Sequence, residues 1–107
     1  MIKKKFLKTK CQVTFELPKG ATQGADSVQL VGDFNDWDEK ATPMEKKRGN
    51  RFVVTLDLKL NHEYQYRYLV NRKDWHNDWE ADKYVSNPFS GDNSVVSTYL
   101  SETPETF

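Results

Sequence analysis

Cysteine is nearly missing from this chain: Cys11 is the one thiol in 107 residues. It excludes an intramolecular disulfide and any multi-cysteine zinc site. Because Cys11 opens an alternating strand pattern, it reads as a small core hydrophobe rather than a nucleophile. Histidine is almost as scarce, and His62 and His76 stand far from Cys11, so they read as turn or surface residues rather than metal ligands. No metal or other cofactor is implied. An excess of either charge is also lacking, since 16 Lys and Arg balance 16 Asp and Glu. No net field holds a polyanion or an anionic membrane, which disfavours nucleic acid and lipid as partners. No apolar run approaches membrane-spanning length, and the lysines of MIKKKFLKTK lack the apolar stretch that a secretory signal needs. The expectation is a cytoplasmic protein. Helical periodicity never lasts more than two turns.

What the chain does have is alternation. Cys11, Val13, Phe15 and Leu17 point one way and Gln12, Thr14 and Glu16 the other, the mark of a half-buried strand. Pro18 to Asp26 is loop chemistry, and Val28 to Val31 form a second strand. Phe52, Val54, Leu56, Leu58 and Leu60 give the strongest pattern and a central strand. In the next strand Tyr64, Tyr66, Tyr68 and Val70 share one face, with Glu63, Gln65, Arg67 and Leu69 on the other. A polar hairpin turn, Asn71 to Asp74, delivers Trp75. A long aromatic-anchored loop runs from His76 to Ser94, and Val95 to Leu100 close the domain. Five or six strands joined by turns predict an all-β fold, an antiparallel sandwich of two sheets. The expected organisation is a basic lead-in over residues 1–10 that is flexible or lies along an edge, one sandwich over 11–100 and a flexible tail over 101–107.

The stretch VQLVGDFNDW, Val28 to Trp37, organises the rest. It runs a strand into a polar turn that lifts an indole between Asp36 and Asp38, where burial energy is forfeited unless the ring meets a ligand. Trp37 reads as a contact residue, with a lid folded back on the core as the alternative.

Catalysis finds little support. Asp33, Asp36, Asp38, Asp74 and Asp78 lie near the tryptophans, but a carboxylate pair for glycoside hydrolysis needs a cleft that short loops on a small sandwich do not build, and turn aspartates usually just form turns. An EF-hand is excluded, because the required glycine falls on Asp38 and the closing glutamate on Met44. The expectation is a binding protein, not an enzyme.

The remaining chemistry suits a sugar. A pyranose has a C–H-rich face and a rim of hydroxyls, so its receptor is a flat aromatic bordered by donors and acceptors. Trp37 and Trp75 supply platforms, Arg67 a rigid fork of donors, and Asn93 both a donor and an acceptor. Two rings set at an angle follow the curve of an α-1,4-glucan. A surface ion pair with Glu63, Asp57 or Asp74 is the competing role for Arg67, and turn formation beside Gly91 and Asp92 that for Asn93.

These residues also carry a resemblance. VGDFNDW, EYQYRYLV followed by a turn and Trp75, and NPFSGDNSVV together resemble family-48 carbohydrate-binding modules over roughly Val13 to Thr98. Such early-set, immunoglobulin-like sandwiches precede the catalytic barrel of branching and debranching enzymes and occur in the β-subunit of AMP-activated protein kinase. The resemblance implies non-catalytic binding of glycogen, starch or malto-oligosaccharides through Trp37, Arg67, Trp75 and Asn93. Arg67 stands where the kinase subunits have lysine, and the turn before Trp75 is longer than theirs. Trp79 has no counterpart. With no catalytic domain in these 107 residues, the expectation is an autonomous module or a partner of a separate glycan-metabolising enzyme. The alternative is a protein-interaction or regulatory sandwich that uses a strand edge and the lysine-rich start.

Overall fold

The computed structural model describes residues 1–17, 20, 24–87 and 91–99. Among them the chain forms nine strands: β1 (Ile2–Phe6), β2 (Lys10–Leu17), β3 (Val28–Gly32), β4 (Glu45–Lys47), β5 (Arg51–Lys59), β6 (Glu63–Val70), β7 (Asp74–His76), β8 (Lys83–Ser86) and β9 (Asp92–Ser97). One sheet runs β1-β2-β5-β4 and the other β3-β6-β9-β8, with β7 paired to β6. The all-β two-sheet sandwich expected from the alternation is the architecture found.

The alternating positions build the interior. Cys11, Val13, Phe15 and Leu17 from β2 and Phe52 and Leu58 from β5 are buried against Val28, Leu30, Tyr66, Tyr68, Val70 and Val96 of the opposite sheet. Register keeps these faces aligned: Cys11 sits across from Leu58 and Phe15 from Val54, while Leu30 sits across from Tyr68. Phe15 meets Tyr66 edge-on with ring centroids 5.1 Å apart. Burial pushes the Cys11 thiol up from its ordinary pKa, as a core hydrophobe requires.

The first ten residues take the edge-lying of the two forms expected for them. Ile2–Phe6 is an edge strand of the four-stranded sheet, paired from Ile2 with Phe15 to Phe6 with Cys11. Ile2 and Phe6 pack on the core, and Lys4, between them in the alternation, reaches Asp82 at 2.8 Å. A dense run of lysines hid that two-residue period. The tail over 101–107 lies outside the described residues.

The last strand is also displaced. It begins at Asp92 and ends at Ser97 rather than running from Val95 to Leu100, so Asn93 is a strand residue, paired with Val85, and not a turn former. The hairpin between β6 and β7 is as expected in place, and tight: Asn71 and Arg72 both take left-handed backbone, at φ 52° and 62°, and Lys73 N–H closes on the Val70 carbonyl at 3.1 Å.

Asp78, which sequence reading left among the loop aspartates, is a buried hub. Its Oδ2 accepts the Tyr66 hydroxyl at 2.7 Å and the Tyr68 hydroxyl at 3.0 Å, and its Oδ1 meets the amino group of Met1. Burial, followed by the charge of Asp78 and by its hydrogen bond, holds the Tyr68 phenol well above its usual pKa. The Tyr66 phenol is raised as well, first by burial and then by its neighbours Tyr68 and Asp78.

Candidate functional site

Each residue of the GDFNDW turn has a physical task. A Cβ on Gly32 would lie 2.5 Å from the Gln65 carbonyl oxygen and 2.7 Å from the Tyr66 Cβ, so only glycine lets β3 approach β6 this closely. Asp33 uses both carboxylate oxygens: Oδ2 accepts the Gln65 amide at 2.7 Å and Oδ1 accepts the Trp37 indole N–H at 2.8 Å. Phe34 packs against Phe15, with centroids 5.6 Å apart. Asn35 locks the turn, accepting the Gly32 amide at 3.1 Å while donating to the Leu30 carbonyl at 2.9 Å and to Thr42 Oγ1 at 2.9 Å. The chain then passes through left-handed backbone at Asp36 and Trp37, φ 56° and 57°. For a side chain as bulky as Trp37 that conformation costs roughly 1–2 kcal/mol, and it persists because Trp37 N–H also bonds the Gly32 carbonyl at 2.9 Å.

Trp37 is therefore neither bare nor sealed. It is half-buried, its N–H is spent on Asp33, and it is fixed beside β6. The freely exposed indole expected at this position is corrected by that bond, which the four-residue spacing from Asp33 to Trp37 makes local.

With Tyr66 and Tyr68 turned inward, Gln65, Arg67 and Leu69 point to the outer face of the five-stranded sheet. Trp75 stands across from Leu69 on the same face, and Val95 across from Gln65, which puts Asn93, two residues earlier, on that face too. The Arg67 guanidinium carbon lies 5.9 Å from the Trp75 ring centroid, within cation–π range. Trp75 is 38% exposed. Asn93 donates to Gln65 Oε1 at 3.0 Å and accepts from Asn87 Nδ2 at 3.0 Å.

Among the described residues, the ion pairs that competed for Arg67 are not made: Glu63 pairs with Lys83 and Asp57 with Lys10, and the buried Arg67 Nε finds no hydrogen-bond partner there. A desolvated donor left unpaired costs about 1–3 kcal/mol, so Arg67 holds donor capacity that the fold does not consume.

The four residues anticipated from sequence thus fall into one neighbourhood by different routes. Arg67 and Trp75 meet directly, Asn93 joins through the Gln65 side chain, and Trp37 joins through Asp33 and the Gln65 backbone. Gln65 and Asp33 were not foreseen as site residues. The signals were present: Gln65 lies in the outward phase of β6, and Asp33 sits four residues before the indole. Asp33 and Asp78, once candidates for a carboxylate pair, are instead fully engaged by hydrogen bonds of the fold. Trp79 is the most exposed indole at 60% and lies against Gly20.

An open sheet face that groups an indole, a guanidinium and paired amides over a two-sheet sandwich has the form of a β-sandwich binding module. Residues 22–90 match the family described as carbohydrate-binding module 48 (isoamylase N-terminal domain), and the chain belongs to that family. Trp37, Arg67 and Trp75 lie inside the matched span, and Asn93 just past it. Over 68 residues, 62% of this chain, it is 37% identical to the 1,4-alpha-glucan branching enzyme GlgB of Aquifex aeolicus (strain VF5). The match covers 10% of that enzyme, so the chain spans about a tenth of the relative's length.

Proposed function

We propose that this chain is a non-catalytic receptor for α-1,4-glucans, taking glycogen, starch or malto-oligosaccharides on the outer face of the five-stranded sheet. Trp75 and Trp37 serve as stacking platforms, and Arg67, Asn93 and Gln65 serve the hydroxyl rim. The observation that carries the reading is the Arg67 guanidinium lying over a half-open indole. A sugar ring can stack on Trp75 with its hydroxyl rim beside that cation. Family membership supports a carbohydrate as the ligand class. The matched relative is a branching enzyme by name, which supports an α-glucan as the ligand.

A shallow site of this kind binds with Kd on the order of millimolar to micromolar. Titration of tryptophan fluorescence with β-cyclodextrin is expected to saturate, and titration with cellohexaose, whose β-linkages run straight, is expected to leave the signal flat. Equal response to both, or to neither, refutes the reading.

A further inference from the structure

Strand β5 is left half covered. β4 pairs with it only from Arg51 to Val53, and among the described residues no strand follows along its remaining length. The ladder fixes what that edge presents. Met1 and Glu16 exchange backbone bonds, so the pairing alternates along β2 and turns the N–H and C=O groups of Thr55, Asp57 and Lys59 away from it. Those of Lys59 are spent, on the Tyr64 hydroxyl at 3.1 Å and on Thr98 Oγ1 at 2.6 Å. Thr55 and Asp57 are exposed, and among the described residues theirs have no partner strand.

A cavity of about 320 Å³ lies beside this open stretch, lined by Phe34, Leu58 and Tyr64 together with Asp57, Lys59 and His62. Its walls are aromatic: the Tyr64 ring centroid stands 6.0 Å from that of Phe34 and 5.9 Å from that of His62. The inward positions alongside are apolar, and Val54 and Leu56 are only partly buried. Exposed edges are ordinarily guarded by a proline or an inward charge. β1 has Lys4 in such a place, but Val54 to Leu58 has neither.

An apolar hollow beside open main-chain donors and acceptors is the form of a strand-addition site, in which backbone bonds hold an extended peptide and the hollow takes one of its side chains. A second copy does not fill it, because a two-fold pairing through Thr55 and Asp57 sets each hollow against its twin. Asp57 is paired with Lys10, which leaves Lys59 as the cation without an ion pair at this cavity among the described residues and favours a carboxylate on the partner.

We infer that this side of the sandwich docks an extended segment of a partner polypeptide as an antiparallel strand on β5. The pleat sets the register: a partner residue across from Leu58 sends its side chain into the hollow, and the residue before it, across from Lys59, lies beside the ammonium. Glutamate followed by leucine meets both demands. This surface belongs to the edge of the four-stranded sheet, apart from the Trp75 face, and does not depend on the glucan reading.

The test is a titration of the whole chain with the acetylated, amidated peptide Glu-Leu-Thr-Val-Thr, read by NMR and by amide hydrogen exchange. Binding with Kd on the order of 0.1 mM is expected. In the free chain the Thr55 and Asp57 amides should exchange fast and those of Leu56 and Leu58 slowly, and the peptide should protect the first two. Alanine in place of the peptide leucine should weaken binding about tenfold, and N-methylation of the central threonine, whose amide bonds the edge, should abolish it. Lys59→Glu should weaken this peptide about threefold, and a peptide with lysine in place of glutamate should bind that variant better than it binds the unaltered chain. Absence of binding, binding indifferent to N-methylation, or protection confined to other strands overturns the inference. Slow exchange of Thr55 and Asp57 in the free chain overturns it as well, and sedimentation then tells a second copy, at twice the mass, from an edge closed within one chain.

Discussion

The guanidinium of Arg67 lies over the face of Trp75, 5.9 Å from cation carbon to ring centroid, with its Nε buried and unpaired among the described residues. The contact holds the indole's orientation and keeps a charged donor at its border. Trp75→Ala is expected to weaken β-cyclodextrin binding by about tenfold or more, from the loss of stacking area. Arg67→Lys keeps the charge but loses the planar fork, so a smaller loss of about three- to tenfold is expected. Thermal melting of both variants should stay within a few degrees of the unaltered protein, since both side chains lie on the outer face.

Gly32→Ala should act on the fold itself. The added methyl meets the Gln65 carbonyl oxygen at 2.5 Å, and backbone cannot swing aside as a side chain can. Overpacking of this kind costs about 1–3 kcal/mol, and in a domain of this size a fall in Tm of roughly 10 °C is expected by calorimetry.

Asp33→Asn separates bracing from contact. An asparagine has one acceptor oxygen, so it can hold the Gln65 amide or the Trp37 indole but not both. A stability loss of about 1 kcal/mol is expected in urea denaturation, together with an altered tryptophan emission spectrum and weaker binding of β-cyclodextrin. The combination of Asp33→Asn with Trp37→Ala should bind no worse than Trp37→Ala alone, because the carboxylate acts through that ring.

The buried phenols give a pH dependence. Tyr66 and Tyr68 both hold their protons well above the ordinary tyrosine range in the folded chain. The unfolded chain therefore binds fewer protons once pH passes about 10. Stability is complete below that pH and declines as pH rises further toward the folded values. These two phenols should stay un-ionised until the fold is lost. Alkaline unfolding should then bring a step in tyrosinate absorbance that is smaller by one phenolate in Tyr66→Phe.

Asp78→Ala should be the most damaging of these substitutions. It strands two buried hydroxyls and removes an ion pair with the Met1 amino group, for an expected loss of about 3 kcal/mol or more in denaturant titration. Asp78→Asn should recover part of it, because one oxygen can still accept.

Strands β2, β5 and β6 were legible because each buries one face and alternates without interruption. The short strands β4, β7 and β8 were not, and β1 was read only as one of two alternatives for the lead-in. Each is an edge or a stub whose burial is partial, so its composition is set by solvent rather than by a core. The candidate residues Trp37, Arg67, Trp75 and Asn93 were singled out from the sequence by the aromatics beside turns, the outward phase of Arg67 and the resemblance of their motifs to one family. Their supports were harder to see. Gln65 and Asp33 act through hydrogen bonds whose partners are adjacent only once β3 pairs with β6. Asp78 lay in a stretch with no period, and nothing local distinguishes an aspartate that receives two phenols from one that forms a turn.

The Asp33 clamp has a thermodynamic corollary. It bolts the Trp37 indole to the strand that bears Arg67, so on the glucan reading proposed above little conformational freedom would be surrendered there when a sugar arrives. Prolonged residence on a long polymer would then come from repeated recapture along its many equivalent turns rather than from a firm hold on any one of them.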